Sequence, residues 1–407
     1  MTLRPPMPRT DRLCAVPLVI VLIMAAACGA GDAADSAAIP TEPAVPTVPS
    51  ADTAGNGLVA AALDIDPTAL PTYAAQVLPA SYTAQVLQRE DRSGAGNPIT
   101  NAGATLGRVL FFDRRLSRND SLSCASCHAQ SIAFGDTAQF SLGFDGVSRA
   151  GAHTMRLANA RFNASGEYFW DRRAPSLQAQ VIQPIQNGVE MGFDAAHGGL
   201  AAALAKVSAV PFYARLFTLA FGNAAVTEDR VQRALAQYVR SIVSVQSRWD
   251  VAVAASGGGA PFQQPMPGFT AQESRGQQLF LAPPQANGLG CAGCHVPPSF
   301  SLDANSRSNG LDAGETRIFR SPSLKTVGMG NRYMHDGRHA TLEEVVEFYD
   351  SAVQAGPALD PRLANPNGTP RRLNLSAADK AAVVAFLRTL RDSSLVTDPR
   401  FRDPFRR

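Results

Sequence analysis

The chain has 407 residues, of which 45% are hydrophobic and 17% are charged, and its formal net charge is +3. This is the composition of a globular protein, and no patch of Lys and Arg with interleaved aromatic residues indicates a nucleic-acid partner. Four of the six cysteines lie in two short motifs, so no disulfide framework is needed to explain them.

Residues 1–28 have the features of a bacterial export signal. Arginines precede an apolar stretch from Val16 to Ala27 that is too short to span a membrane. The stretch ends at Cys28 in a sequence that resembles a lipoprotein cleavage site, although Ala25 stands where Leu is usual. We predict a periplasmic protein with a lipid anchor at Cys28, and an ordinary secretory signal is the alternative. No other contact with the membrane is expected.

The next segment, residues 29–80, is rich in Ala, Pro, Thr and Asp and poor in aromatic residues. A segment of this composition buries little apolar surface, so we predict a disordered tether. The rest of the chain suits two domains of ordinary size, which we place at 81–255 and 256–407. The Gly- and Pro-rich segment from Ser256 to Gly268 is the predicted linker.

Two segments share the pattern C-x-x-C-H. Cys124, Cys127 and His128 form the first motif, and Cys291, Cys294 and His295 form the second. The pattern is typical of covalent c-type haem attachment, in which two thiols bond the vinyl groups of one haem and the His is the proximal iron ligand. A zinc site does not require a His directly after each pair, and a redox-active pair would have a thioredoxin-like context that is missing here. We therefore predict two covalently bound haem c groups.

The two motifs lie within an internal repeat. The sequences at 107–111 and 276–280 both read G-x-x-L-F and precede the motifs by similar distances. Farther along, 238–242 and 386–390 match in residue character and lie in stretches of helical period, with Thr227 and Ser376 as predicted N-caps. Strand signals are weak. The pattern predicts a mainly α fold of two cytochrome c-type domains, each carrying one covalently attached haem.

A longer segment, residues 169–192, reads FWDRRAPSLQAQVIQPIQNGVEMG. Together with both haem motifs, Ser321-Pro322-Ser323-Leu324 and Tyr333-Met334-His335-Asp336-Gly337, it resembles the bacterial di-haem cytochrome c peroxidases and the related di-haem enzyme that matures methylamine dehydrogenase. The resemblance covers most of residues 100–390. It implies that the N-terminal domain is peroxidatic and that the C-terminal domain receives electrons.

The resemblance also implies roles for residues within this segment. Trp170 matches the tryptophan that lies between the haems and carries electrons. Glu190 matches the catalytic acid/base, and Gln180 and Pro184 match positions in the distal pocket of the first haem. Cleavage of peroxide needs a group that moves a proton between its oxygens, and burial beside apolar residues raises a carboxyl pKa toward that use. The ordinary alternatives are a solvated Glu, a core Trp and a surface Gln.

The loop before the segment departs from the family. Many of these peroxidases hold a distal His on the resting peroxidatic haem, but residues 141–147 read SLGFDGV and contain no His. We therefore predict a first haem that is open in the resting ferric state. The resemblance implies calcium as a further cofactor, and the same departure argues against that ion, so both alternatives stand. We interpret His153 as a hydrogen-bonded structural residue and His197 as a surface residue.

The resemblance places the distal ligand of the second haem on the helix after the H-D-G turn. That ligand is Met in the peroxidases and Tyr in the maturing enzyme. Here the helix is predicted over 341–351, with a capping box at its start, and Tyr349 lies at the ligand position. We predict Tyr349 as the metal ligand, with Met334 as the alternative; a core Tyr with a paired hydroxyl is the ordinary reading. His335 is expected to hold the turn or a haem propionate.

Three functions follow from these patterns. The first is a di-haem cytochrome c peroxidase that reduces hydrogen peroxide to water. Electrons would come from a small periplasmic cytochrome c or cupredoxin, enter at the C-terminal haem and pass through Trp170. The second is an enzyme that oxidises side chains of a partner protein, and the third is a non-catalytic di-haem electron carrier with two six-coordinate irons. The resemblance also implies a homodimer, because relatives are often dimeric.

Overall fold

The computed structural model describes residues 52–94, 96–257 and 264–406. The predicted export signal, including Cys28, lies outside the described residues. So do residues 29–51 of the predicted tether and residues 258–263 of the predicted linker.

The described residues form thirteen α-helices and one two-stranded antiparallel sheet. The helices are α1 Thr53–Ala62, α2 Ala84–Glu90, α3 Asn101–Phe112, α4 Cys124–Cys127, α5 Leu177–Val181, α6 Gly199–Ser208, α7 Pro211–Phe221, α8 Glu228–Ser241, α9 Arg248–Ala255, α10 Ala271–Leu281, α11 Leu342–Glu347, α12 Ala377–Thr389 and α13 Ser394–Thr397. The strands are β1 His295–Val296 and β2 Ser301–Leu302, in which His295 pairs with Leu302. The prediction of a mainly helical fold is confirmed.

The internal repeat corresponds to two helix pairs, α3 against α8 and α10 against α12. Gly107 lies at the first crossing, where a Cβ would collide with the carbonyl of Ala234. Gly276 lies at the second, where a Cβ would collide with the carbonyl of Ala382. The glycine of each G-x-x-L-F sequence therefore allows two helix backbones to approach closely.

The closing helix of each pair begins where the sequence predicts. Thr227 accepts a hydrogen bond from the backbone N–H of Arg230, and Ser376 accepts one from that of Asp379. Both predicted N-caps are confirmed. Each side chain satisfies one of the backbone donors that the first turn of a helix leaves free.

Apolar side chains gather around each motif. One cluster includes Phe111 and Tyr238, and a second includes Trp249 and Phe386. The end of the chain returns to the first cluster through Leu395 and Phe401, so it does not follow the predicted boundary at residue 256. Elsewhere the domain boundaries stay a prediction.

The tether prediction is wrong for residues 52–80. Helix α1 is capped by Asp52, and Val59, Leu63 and Tyr73 are fully buried in the first cluster. The backbone N–H of Arg406 also donates to the carbonyl of Ala62, which fastens this segment to the end of the chain. Composition averaged over the segment hides these few apolar residues, whose partners are distant in sequence.

Among the described residues, no single helix is both long and apolar enough to cross a membrane. Helices α6 and α7 meet the length and composition criteria only when taken as a pair, and the chain bends by 102° between them.

Candidate functional site

The first C-x-x-C-H motif borders a cavity of about 440 Å³, here called the first cavity. Cys124, Cys127 and His128 line it together with the predicted residues Trp170, Gln180, Pro184 and Glu190. The structure therefore brings the first motif and the 169–192 segment to one space. Helix α5 carries Gln180, and the Ser176 side chain caps that helix.

The first motif presents a neutral imidazole. Burial lowers the pKa of His128 to about 4, and its Nδ1 lies 3.1 Å from the carbonyl oxygen of Phe134. When Nδ1–H donates to this carbonyl, the lone pair of Nε2 is free for a metal ion. Burial also raises the pKa of Cys124 to about 12 and that of Cys127 to about 11. Redox-active cysteines have lowered pKa values, so these thiols do not suit that alternative.

Glu190 is half-buried in the wall of the first cavity. Burial raises the pKa of its carboxyl, and the positive charge of Arg173 opposes the increase. The backbone fixes its position, because its N–H donates to Asn187 Oδ1 over 3.1 Å and its carbonyl accepts from the Phe144 N–H over 3.0 Å. A carboxyl with a raised pKa beside a cavity holds its proton more readily than an ordinary carboxylate, which suits it to accept and return a proton.

The loop without a His lies against this segment. Leu142 pairs with Arg149 across the loop, and Gly143 packs so tightly that a Cβ would collide with the Val189 carbonyl. Ser141, Leu142 and Gly143 line the first cavity. The part of the loop that borders the first cavity therefore carries small and apolar side chains and no imidazole.

The second motif borders a cavity of about 880 Å³, here called the second cavity. Cys291, Cys294 and His295 line it with Met334 and Tyr349. Burial lowers the pKa of His295 to about 4, as for His128. Its Nδ1 is buried and has no hydrogen-bond partner among the described residues, so the two imidazoles differ in how they are held.

Tyr349 lies in a five-residue π-helical turn, Phe348–Ala352, that continues α11. The predicted helix is therefore present, but its last turn is widened. Such turns are often found at functional sites. The N-cap at Thr341 is confirmed, whereas the Glu344 carboxylate accepts from the Ala340 N–H and completes the cap one residue earlier than the predicted box.

The two predicted distal ligands share a neighbouring side chain. Asn309 Nδ2 is 3.4 Å from both the Tyr349 hydroxyl and the Met334 sulfur. Burial raises the pKa of Tyr349 to about 12, so its free phenol is protonated at neutral pH. A bound metal cation would be needed to lower this pKa and stabilise the deprotonated phenolate.

A set of side chains lines both cavities, and we call it the shared wall. Its members are His153, Thr154, Arg156, Trp170, Phe319, Arg320, Pro322 and His335. Trp170 is held on two sides, because its Nε1–H donates to the His153 carbonyl and its own carbonyl accepts from the Arg320 N–H, each over 2.7 Å. Trp170 therefore lies between the surroundings of the two motifs.

Three of the four remaining histidines were considered in the sequence analysis, and the structure places them as follows. His153 Nδ1 lies 3.1 Å from the Gln139 carbonyl, which confirms a hydrogen-bonded residue, although its place in the shared wall was not predicted. His335 stacks on Phe319 with ring centroids 4.0 Å apart and meets the Trp170 ring edge-on at 6.5 Å. His197 is exposed, as predicted, and pairs with Asp194.

Sequence reasoning missed Arg156, Phe319 and Arg320. Phe319 and Arg320 directly precede the Ser-Pro-Ser-Leu motif, which could have indicated them, whereas Arg156 lies in no recognised motif. The Nε of Arg156 is buried without a hydrogen-bond partner in the described part of the chain. Haem carries propionate carboxylates, so an uncompensated guanidinium beside a thiol pair and a neutral His fits haem c in each cavity.

The residues 52–94, 96–257 and 264–406 contain no group of three or more His, Cys, Asp or Glu side chains that could hold a metal ion. The two cysteine pairs line different cavities, which does not suit a shared four-cysteine zinc site. Calcium as a further cofactor stays a prediction.

A mainly helical fold with one C-x-x-C-H motif beside each of two cavities is the arrangement expected of a c-type cytochrome. A family model described as di-haem cytochrome c peroxidase matches residues 101–257. The methylamine utilization protein MauG of Methylophilus methylotrophus is 30% identical over 312 residues, which are 74% of this chain and 85% of that protein. The cytochrome c551 peroxidase of Nitrosomonas europaea is 29% identical, over 60% of this chain and 71% of that protein.

Solved structures with a similar fold include proteins of the same kinds as these relatives. A MauG-like protein associated with microbial copper homeostasis has a TM-score of 0.63 and 28% identity, and the match covers 82% of this chain and 98% of that protein. The di-haem peroxidase BthA of Burkholderia thailandensis, at 22% identity and a TM-score of 0.60, shares the fold. The chain belongs to the di-haem cytochrome c peroxidase family, so the predicted resemblance is confirmed. That family includes both cytochrome c peroxidases and MauG proteins, and it implies haem c as cofactor.

Proposed function

We propose that the protein is a di-haem peroxidase that reduces hydrogen peroxide to water at the first cavity. One observation carries the proposal: each C-x-x-C-H motif lines its own cavity, and Trp170 lines both. Two haems, when bound through Cys124, Cys127, Cys291 and Cys294 with His128 and His295 as proximal ligands, supply the iron centres for peroxide reduction and electron relay.

The side chains around the first cavity have distinct tasks in this proposal. Glu190 takes a proton from the near oxygen of the peroxide and returns it to the far oxygen, which then leaves as water. Gln180 orients the peroxide by hydrogen bonding. The loop at 141–147 leaves the site open because it offers no His to block it. Arg173 favours the ionised form of Glu190, since its positive charge lowers the carboxyl pKa.

Electrons enter at the second cavity in this proposal. Their source is a small cytochrome c or cupredoxin in the periplasm, and Trp170 provides the route across the shared wall. Tyr349 is the proposed sixth ligand at the second site. A lipid anchor at Cys28 and a homodimer are part of the same proposal.

The proposal is tested with the variant Glu190→Gln in the protein carrying its haems. Loss of a positioned acid/base lowers rates about 10²- to 10⁴-fold, so we expect slower reaction with hydrogen peroxide in rapid mixing and an unchanged resting absorbance spectrum. Glu343→Gln is the control, because Glu343 is exposed and pairs with Arg388 on the surface. Unchanged peroxide kinetics in Glu190→Gln would remove Glu190 from the mechanism.

A second function, oxidation of side chains on a partner protein, is favoured by Tyr349. A phenolate ligand would stabilise oxidised iron, and the hydroxyl lines the second cavity beside Met334. Rapid turnover with a reduced small donor protein would support the peroxidase. The side-chain oxidase would instead accumulate a long-lived oxidised state after peroxide addition. Comparison of Tyr349→Phe with Met334→Leu identifies the ligand, because only loss of the true ligand changes the spectrum of the second haem.

A further inference from the structure

Two arginines of the shared wall lack the partners that buried cations need. Arg320 is 6% exposed, and the ionisable side chains near it are Tyr168 and Arg172. For Arg156 the ionisable neighbour is Tyr333, a neutral phenol whose ring lies 5.6 Å from the guanidinium. Among the described residues neither arginine forms an ion pair with Asp or Glu. An isolated charge removed from water is costly, so each of these guanidinium groups favours an anion beside it in the cavities.

Arg362, at the second cavity, differs from these two arginines because it has a counter-charge. Arg362 lines the second cavity alone and pairs with Asp360 over 2.7 Å, which raises its pKa. For Arg156 and Arg320 burial lowers the pKa, as expected for cations without a counter-charge. Arg362 therefore already has its counter-charge within the protein, whereas in the part of the chain that the structure describes Arg156 and Arg320 do not.

The backbone around Arg156 is shaped to hold it. A Cβ on Gly330 would collide with Nη1 of Arg156, and a Cβ on Gly135 would lie 2.9 Å from its Cγ. Gly330 has a φ of −84°, a value open to any residue, so its lack of a side chain serves space and not backbone geometry. Two glycines therefore leave a channel through which Arg156 reaches the shared wall.

We propose that Arg156 and Arg320 together bind carboxylate groups from both cofactors, so that the same two charges set the reduction potential at each iron. The inference rests on the proposed occupancy of both cavities by haem c. A positive charge stabilises the reduced form of a nearby centre relative to its oxidised form, because reduction lowers the charge of the iron. Because both arginines line both cavities, their removal should affect both centres.

The test is a spectroelectrochemical titration of the protein with its haems attached, comparing Arg156→Gln with the unchanged protein. We expect the equilibrium constant for reduction of each haem to fall about tenfold, which is 59 mV for a one-electron couple. Arg156→Lys keeps the charge and should stay within about threefold of the original value. A simple packing role would make Lys as damaging as Gln.

The matched control is Arg371→Gln, because Arg371 lines only the second cavity. It should change only the second midpoint potential, and a change in one potential alone for Arg156→Gln would overturn the inference. If Arg156→Gln fails to fold, Gly330→Ala provides a second route, since its methyl displaces the guanidinium and should also lower both potentials. Unchanged potentials in that variant would count against the proposal.

Two further measurements distinguish this inference from the proposed function and from binding of a free anion. A pyridine haemochrome assay that finds fewer than two haems contradicts the proposed function itself. Two haems with unmoved potentials contradict only the shared role of the arginines. Titration with inorganic phosphate tests a free anion at the same place: potentials that shift with phosphate would show an exchangeable anion and overturn cofactor carboxylates as the ligand.

Discussion

At the scale of single residues, the first cavity depends on the balance between burial and charge at Glu190. Burial raises its carboxyl pKa, and the positive charge of Arg173 partly opposes that change. Arg173 is held there by its stacking on Phe169, 3.5 Å from the ring centroid, and by its ion pair with Asp171. The proposed mechanism requires an ionised Glu190 at the start of the reaction, so Arg173 favours the form of the protein that is able to react.

This balance predicts a pH effect for Arg173→Gln. Loss of the positive charge removes an influence that lowers the Glu190 pKa, so the pKa rises further and the acidic limb of the peroxide rate moves to higher pH. Arg173→Lys keeps the charge and should retain the original profile. The shift should shrink as salt is added, because the Arg173 side chain is 48% exposed. An acidic limb that does not move would separate Arg173 from Glu190.

The same residue predicts a pH-dependent gain in stability for Glu190→Gln. The folded-state pKa of Glu190 is raised, so its ionisation favours the unfolded chain, and stability falls as pH rises from the ordinary carboxyl pKa through the raised one. Gln has no such ionisation. The variant should therefore melt at a higher temperature than the original protein at pH 7 and at a similar temperature below pH 4. Equal melting temperatures at both pH values would contradict the raised pKa.

At the scale of elements, the two crossings of α3 with α8 and of α10 with α12 support both motifs. Replacing Gly107 or Gly276 by Ala pushes a methyl into the backbone of the facing helix. Overpacking of this kind costs about 1–3 kcal/mol in the free energy of unfolding. Gly57→Ala in α1 is the control, because open space surrounds it, and it should stabilise by about 0.5–1 kcal/mol. Denaturant unfolding of the three variants measures this difference.

The repeat that predicts these crossings shows what local sequence is able to reveal. Helical periodicity and N-caps depend on neighbouring residues, so α8 and α12 were predicted along with their starts. The π-helical turn at Phe348–Ala352 was not, because its widening depends on packing around Tyr349 and not on local propensity. Arg156 was missed for a related reason: its importance comes from Gly135 and Gly330, which are remote from it in sequence.

At the scale of the whole molecule, the two ends of the described chain close on each other. Leu63 pairs with Phe405 as an isolated bridge, and the Asp64 N–H donates to the Pro404 carbonyl over 2.7 Å. The end of the chain therefore packs on the first cluster, although it follows the residues of the second cluster in sequence. A tether predicted from composition alone could not show this, because its partner lies more than 300 residues away in sequence.

This closure links the end of the chain to the first motif. Phe401 is 2% exposed, and its ring lies 6.0 Å from that of Phe134, whose carbonyl faces His128 Nδ1. In the second cluster, Phe386 packs on Phe280 at 5.3 Å, and Phe280 lies beside the His295 ring. Phe401 and Phe386 thus support the surroundings of the two motif histidines, each from a separate cluster.

The pair predicts a crossed result. Phe401→Ala and Phe386→Ala each remove a buried ring and should lower the free energy of unfolding by about 3–5 kcal/mol. Because Phe401 packs on the residue that faces His128 and Phe386 packs on the residue beside His295, Phe401→Ala should alter the absorbance of the first haem, and Phe386→Ala that of the second. Spectra of the resting proteins, with unfolding curves for both, make the measurement. If Phe401→Ala disturbed the second haem instead, the chain end would be supporting the fold as a whole and not the first site.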